Sequence, residues 1–214
     1  MLNKIFYSFY NKSLSRPTCI RNLGLIAQAL KNAQALDIEG HLRLTIDNFL
    51  IDPILDIPIL TRYGIHRLWL ELYGESGKIP TLICPPEMMN EDQSEITFNE
   101  KLISIYDSYA FGVLMYEILT KQILNEEEPF DRNLIDANLQ GSENLFLKDL
   151  IRSSTDTNPK NRPYNPFASY VKTFVTILQK QMKPILLKSY CVSCQANGDS
   201  KTEEYITTSI NKDL

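Results

Sequence analysis

The chain has 214 residues, of which 43% are hydrophobic, so it can fill one well-packed core but would divide poorly into two full domains. Its formal net charge is -4 and it has no long run of basic residues, which argues against a nucleic-acid partner. Residues 1–17 contain a short apolar run broken by polar residues and no small-residue cleavage site, so they do not predict a signal peptide. Four cysteines without such a signal predict reduced thiols and a cytoplasmic protein.

The first third of the chain predicts one helix followed by short strands. Apolar residues recur at spacings of three and four between residues 18 and 36, which predicts an amphipathic helix. Short apolar pieces interrupted by Pro53 and Pro58 follow, so we expect short strands near residues 48–60 at the edge of a sheet. Residues 61–86 contain many glycines and prolines and predict an irregular loop with a short helical turn.

Residues 102–120 are apolar around nearly the whole circumference of a helix, which is typical of a helix buried on all sides. The segment is long enough to be compared with a membrane span. Asp107 and Glu117 lie inside it and charged segments flank it, so we expect no membrane partner. It is predicted to be the central helix around which the other elements pack.

The last third of the chain predicts two further helices joined by a turn. Apolar residues at 145, 147, 150 and 151 indicate a short helix, and a stripe from Phe167 to Leu178 indicates a last one after the turn 158–163. We place a domain at residues 1–182 and a poorly ordered tail at 183–214. The Cys-x-x-Cys at residues 191–194 is half of a zinc pair, so two free thiols are expected there.

Five pieces of the sequence, taken together, resemble the C-lobe of protein kinases, especially in the tyrosine-kinase-like branch. The first is the central helix itself, residues 107–120. The other four follow the order and approximate spacing of that family. A segment similar to the catalytic loop is His41-Leu42-Arg43-Leu44-Thr45-Ile46-Asp47-Asn48, and Arg62-Tyr63-Gly64 stands where the family has Asp-Phe-Gly. Pro85-Pro86-Glu87 is similar to Ala-Pro-Glu, and Arg162-Pro163 precedes the last helix. The resemblance covers residues 3–182. It implies a mainly α fold within an α+β family, with the helical core around helix 102–120.

The resemblance also implies that the chemistry of phosphoryl transfer is lost. No Gly-rich loop, strand Lys or helix Glu precedes the catalytic-loop segment, so we expect a C-lobe without an N-lobe. Arg43 stands where the family has its catalytic Asp, and a guanidinium group stays protonated and cannot act as a base. Thr45 replaces the nearby family Lys.

The metal positions are equally altered. Arg62 stands at the metal-binding Asp, where each unit-charge repulsion is roughly 4 kcal/mol at about 4 Å and an effective dielectric of about 20. Asn48 matches the second metal position, but one neutral amide does not hold Mg²⁺ unaided, so we expect it to bond to nearby backbone. We therefore predict no metal, no cofactor and no ATP binding, with Asn48 as the one candidate nucleotide contact.

The positions that are retained have scaffold roles in the family. By resemblance, Glu87 and Arg162 form a buried ion pair. Asp107 accepts backbone N–H groups from the region of His41, and His41 packs under the segment that ends at Gly64. Buried pairs of this kind fix an architecture and do not perform a reaction.

The sequence therefore predicts a catalytically inactive, kinase-like domain, or pseudokinase, that binds or scaffolds another protein. Without an N-lobe, a surface around Arg43, Thr45, Arg62 and Tyr63 would be exposed, and its two arginines could accept an acidic or phosphorylated segment. The alternative is a fragment of a longer serine/threonine or tyrosine-kinase-like kinase that binds ATP only with its missing N-lobe. A third interpretation is a degenerate remnant without a selected function.

Overall fold

The computed structural model of the chain describes residues 14–35, 40–52, 57–61, 79–89, 100–141 and 144–194. The chain divides into two compact units, Met1–Val175 and Thr176–Leu214. The described residues are mainly helical, which confirms the predicted class at that level. Their helices are α1 (Arg16–Ala35), α2 (Glu100–Thr120), α3 (Asn133–Asn138), α4 (Leu145–Ser154) and α5 (Phe167–Cys194). The two strands are β1 (Phe49–Ile51) and β2 (Pro58–Leu60), and single 3-10 turns lie at Ile46–Asn48, Thr81–Ile83, Pro86–Met88 and Pro159–Asn161.

Helix α2 is the centre of the first unit, as its composition predicts. Every residue from Tyr106 to Leu119 is buried, including the two acidic residues. A helix with apolar side chains on all sides must be covered on all sides. Helices α1 and α4 and the 3-10 turn Thr81–Ile83 pack against it. The predicted buried helix at residues 102–120 is confirmed.

Two local features bring neighbouring helices onto α2. The ring of Phe111 packs edge-on against Phe167, with centroids 5.6 Å apart, and stacks on Tyr170 at 5.5 Å. The second feature is Gly112, which follows Phe111. A Cβ atom added to it would lie only 2.7 Å from Ser154 Cβ, at the end of α4. The absence of a side chain at Gly112 therefore permits the close approach of α4.

Helix α1 buries one apolar face and begins two residues earlier than the predicted 18–36. The Ser15 hydroxyl accepts the N–H of Thr18 at 3.3 Å and so bonds to one of the free donors of the first turn. The helix packs against α2 and β2. The buried apolar residues are Cys19, Ile20, Leu23, Ile26, Ala27 and Leu30.

Strands β1 and β2 form an antiparallel hairpin, which confirms the short strands predicted near residues 48–60. The register pairs Phe49 with Leu60 and Ile51 with Pro58. At the end of the hairpin away from its loop, the N–H of Thr61 donates to the carbonyl of Asn48 at 2.9 Å. Proline is tolerated here because the sheet has two strands and both are edges.

Three features differ from the predictions. Helix α3 was not predicted, because six residues are too few for a periodic apolar pattern. Leu145 was predicted to be part of an apolar face, but it is 58% exposed at the first turn of α4, where Leu147 and Ile151 are buried. Helix α5 runs to Cys194, whereas the apolar stripe that predicted it ends at Leu178. No helix among the described residues has the length and apolar character to cross a membrane.

Candidate functional site

The segment aligned with a catalytic loop begins as a tight turn held by Asp107 on α2. The N–H groups of His41 and Leu42 donate to the two carboxylate oxygens of Asp107, each at 2.8 Å. Leu42 has a φ of 59°, a conformation that a bulky residue adopts only when its surroundings enforce it. Asp107 is thus positioned by the central helix to stabilise a strained turn, and the predicted contact with the His41 region is present.

The imidazole of His41 connects this turn to the hairpin. Its Nε2 lies 2.8 Å from the carbonyl oxygen of Thr61, which can only accept, so Nε2 carries the hydrogen. Its Nδ1 then accepts the N–H of Arg43 at 3.3 Å. The two contacts define a neutral imidazole with a single tautomer. A protonated ring would place a second N–H against the N–H of Arg43.

The side chain of Asn48 completes a closed ring of hydrogen bonds. Its amide nitrogen donates to the carbonyl of Arg43 at 2.6 Å and to the hydroxyl of Thr45 at 3.1 Å. Its backbone carbonyl accepts both the N–H and the hydroxyl of Thr61, each at 2.9 Å. The expectation that Asn48 bonds to nearby backbone is confirmed.

We call His41, Arg43, Asn48, Thr61 and Asp107 the turn cluster. Its carboxylate is 1% exposed and makes no ion pair with any described residue. Burial raises the pKa of Asp107 to about 7, although the two N–H groups oppose this shift. A carboxylate that is enclosed in this way cannot reach the hydroxyl of an external substrate.

A second buried carboxyl group lies further along α2. Glu117 is 5% exposed and accepts the N–H of Leu124 at 3.2 Å. Its pKa is raised to about 7, mainly by burial and to a smaller extent by the charges of Glu126 and Asp47, while the N–H of Leu124 opposes the shift. Sequence reasoning treated Glu117 only as an obstacle to membrane insertion. No pattern in the sequence shows that its charge is enclosed.

The proposed cationic surface is only partly described. The guanidinium of Arg43 lies close enough to Glu126 to lower the pKa of that carboxyl group, which burial raises. Thr45 was predicted to lie on this exposed surface, and that is wrong: it is 5% exposed and its hydroxyl accepts from Asn48. Arg62, Tyr63 and Gly64 lie outside the described residues. The predicted pairing of the two arginines therefore stays a prediction.

Glu87 and Arg162 form the predicted ion pair. The guanidinium donates two parallel hydrogen bonds to the carboxylate, at 2.6 and 2.7 Å. The Arg162 side chain is fully buried, whereas that of Glu87 is 27% exposed. Arg162 also donates Nε to the carbonyl of Asp156 at 2.7 Å and lies 5.0 Å from the ring centre of Tyr109. The pair joins the 3-10 turn after Pro85 to the turn before α5.

In the described part of the chain, the remaining polar groups do not form a second site. Cys19 and Cys84 are buried thiols that take part in no disulfide. Among the described residues, no three His, Cys, Asp or Glu side chains are grouped so that they could hold a metal. The side chains of Cys191 and Cys194 lie outside the described part of the chain.

Thr61 is the member of the turn cluster that the sequence analysis did not name. Its position opposite Asn48 at the end of the predicted strands was the sequence feature that could have indicated it.

No protein-family model matches the sequence, and no curated protein matches it. The assignment of this chain therefore rests on its own residues and contacts. The turn cluster offers a buried carboxylate, a neutral imidazole and an amide, each engaged by neighbouring backbone. Such an arrangement stabilises a loop and a hairpin, and it supplies no accessible base to a substrate.

Proposed function

We propose that this chain is a protein-kinase-like C-lobe that has no phosphoryl-transfer activity and acts by binding another protein. The observation that carries the proposal is the pair of long-range contacts that the family resemblance implies. Asp107 bonds to backbone 66 residues earlier, and Arg162 bonds to Glu87, 75 residues earlier. Neither contact follows from local sequence patterns, so their joint presence supports the alignment of both motifs.

Inactivity is supported by the groups at the aligned catalytic positions. Arg43 replaces a base, and the amide nitrogen of Asn48 donates to the carbonyl of Arg43 and not toward a ligand. The carboxylate of Asp107, which accepts the N–H groups of His41 and Leu42 in the aligned loop, is enclosed. A domain that keeps this architecture but lacks a base and metal ligands can still act by binding a partner at its surface.

A phosphoryl-transfer assay with Mg²⁺ and ATP on generic protein substrates tests the inactive assignment. We expect no incorporation of phosphate above that of a blank. Asn48→Ala is the diagnostic variant, and Asn125→Ala, which removes an asparagine from a surface turn, is its matched control. Turnover that Asn48→Ala abolishes and Asn125→Ala preserves would contradict the proposal.

Thermal-shift titrations with ATP distinguish the modes of nucleotide contact. In the absence of a metal-binding carboxylate, we expect no stabilisation that requires Mg²⁺. If Arg43 and Arg62 contact phosphate, ATP with EDTA should stabilise the protein more than ATP with excess Mg²⁺, which neutralises the ligand charge. Stabilisation that requires Mg²⁺ would overturn the alignment of Arg62.

The binding proposal is tested with acidic and phosphorylated peptides. A peptide carboxylate or phosphate would compete with Glu126 for the guanidinium of Arg43. We expect Arg43→Ala to weaken binding by about tenfold, which corresponds to about 1.4 kcal/mol. Arg152→Ala, which removes an exposed arginine from α4, is the control and should leave the affinity unchanged. Equal effects of both substitutions would indicate non-specific attraction to positive charge.

A further inference from the structure

The turn at Leu42 is strained, and a buried carboxylate stabilises it. A buried leucine with a φ of 59° is an outlier. Its N–H donates to Asp107, and the preceding N–H donates to the other oxygen of the same carboxylate. Both bonds have their full strength only while the carboxyl group is ionised. The turn is therefore stabilised by one group that can gain or lose a proton.

The turn is linked to the hairpin by the closed ring of hydrogen bonds. Arg43 donates to His41, His41 donates to Thr61, Thr61 donates to Asn48, and Asn48 donates back to Arg43. A change in the backbone at Leu42 moves the N–H and the carbonyl of Arg43, which are two members of this ring. The position of Thr61 at the end of β2 is thus coupled to the ionisation of Asp107.

We propose that the turn cluster is a proton-sensitive latch: ionised Asp107 holds the turn at Leu42 and the hairpin closed, and protonated Asp107, which stays buried on α2, releases them. Protonation turns one carboxylate oxygen into a hydroxyl, which is a much weaker acceptor for the N–H group that it faces. The hydrogen bond that remains loses its charge, and charge-assisted bonds are about twice as strong as neutral ones. The strained conformation at Leu42 then lacks the contacts that enforce it.

The surroundings of Asp107 favour this behaviour. No described cation is paired with it, and the interactions given for the described residues that favour its ionised form are the hydrogen bonds from the two N–H groups. Among the described titratable and charged groups, His41 donates its N–H to Asp107 and Tyr106 interacts electrostatically with it; Tyr106 interacts in the same way with Cys84, Arg43 and Tyr109. Burial raises the pKa of Asp107 to about 7, within the range in which cells and their compartments differ. The latch does not depend on the proposed function.

Backbone NMR over pH 5.5 to 8.5 tests the latch. In the wild-type protein, we expect the amide signals of Leu42 and Thr61 to shift with one common midpoint near pH 7. Thr61 does not contact Asp107, so its shift reports transmission through the ring. The proposal is overturned if the amide signal of Leu42 shifts with pH while that of Thr61 does not, or if neither signal shifts in this range.

Three variants assign the titrating group. Asp107→Asn should remove the pH dependence of Thr61, and if Thr61 still titrates, the proton belongs to His41 and the proposal fails. Glu117→Gln is the matched control, because it neutralises the other buried carboxyl group of α2, and it should preserve the common midpoint. Leu42→Gly accommodates the positive φ without strain and should reduce the shift of Thr61 severalfold. An undiminished shift in this variant would also overturn the proposal, and the wild-type titration remains decisive if a variant does not fold.

Discussion

The two partners of the Glu87–Arg162 ion pair are not equivalent at the residue scale. Arg162 is fully buried, donates to a backbone carbonyl and lies over an aromatic ring, whereas Glu87 is partly exposed. Removal of Glu87 leaves a buried guanidinium without its carboxylate. Removal of Arg162 leaves a carboxylate that water can reach, but it also removes the contacts to Asp156 and Tyr109. Each loss is costly for a different reason.

A double-mutant cycle measures this pair. We expect Glu87→Ala to lower the free energy of unfolding by about 3 kcal/mol, because a charge is left buried, and Arg162→Ala to lower it by at least as much. The double variant should cost less than the sum of the two, since the second removal breaks no further ion pair. Urea unfolding of the four proteins provides the values. Additive losses would show that the two side chains do not interact in solution.

For single residues, the sequence predicted hydrogen-bond and ion-pair partners better than it predicted burial. The contacts of Asp107 and Arg162 were predictable because each belongs to a motif that is read as a unit. Thr45 was placed wrongly on the surface because its burial depends on how the loop folds over Asn48. The role of Thr61 depends on the register of the hairpin, which three-residue strands specify weakly.

At the element scale, the end of α4 lies so close to α2 at Gly112 that a side chain there would clash. We expect Gly112→Ala to destabilise the protein by about 2 kcal/mol, because the new methyl group would lie 2.7 Å from both Ser154 Cβ and Thr155 Cγ2. The higher helix propensity of alanine offsets only part of this cost. The shift of the urea midpoint measures the net effect.

Gly24→Ala in α1 is the matched control. The added Cβ atom would lie 3.3 Å from the Cβ of Phe174, a distance that a small adjustment of the neighbour relieves. The gain in helix propensity, about 1 kcal/mol, opposes that cost, so stability should stay within about 1 kcal/mol of the wild type. If both alanine variants behaved alike, the close packing of α4 on α2 would not limit stability.

The helices were predictable where their apolar residues follow a regular pattern. Helix α2 is apolar all round and α1 has a clear apolar face, so their positions were predicted within two residues. Helix α3 begins where Asp131 accepts the N–H of Asn133, a local contact without an apolar stripe. The extension of α5 beyond residue 182 was missed because the apolar stripe used to predict it ends earlier.

At the scale of the whole molecule, the two buried carboxyl groups of α2 give stability a pH dependence. The pKa values of Asp107 and Glu117 are raised by burial from 3.8 and 4.5 to about 7. Between pH 4 and 7, roughly, the folded protein therefore binds more protons than the unfolded chain, and stability falls as pH rises through this window. Each group contributes at most about 1.4 kcal/mol per pH unit. Urea unfolding at pH 5.5, 6.5 and 7.5 should show the decline.

Neutral variants separate the two contributions. Asp107→Asn and Glu117→Gln should each reduce the slope of stability against pH, and together they should remove most of it between pH 5.5 and 7.5. Tyr164→Phe, a change at an exposed hydroxyl, should leave the slope unchanged. A wild-type protein whose stability rises over this range would show that ionised carboxylates elsewhere dominate.

The proline in β2 has a consequence for contacts between molecules. Pro58 and Leu60 lie in pairs that are not hydrogen-bonded across the hairpin, so their backbone groups point away from β1. Proline has no N–H, so this edge presents one backbone donor over the three residues of the strand. A strand from a second molecule that aligned there would leave a carbonyl without a donor. Growth of an intermolecular sheet from β2 is therefore opposed at Pro58, which limits aggregation through this edge.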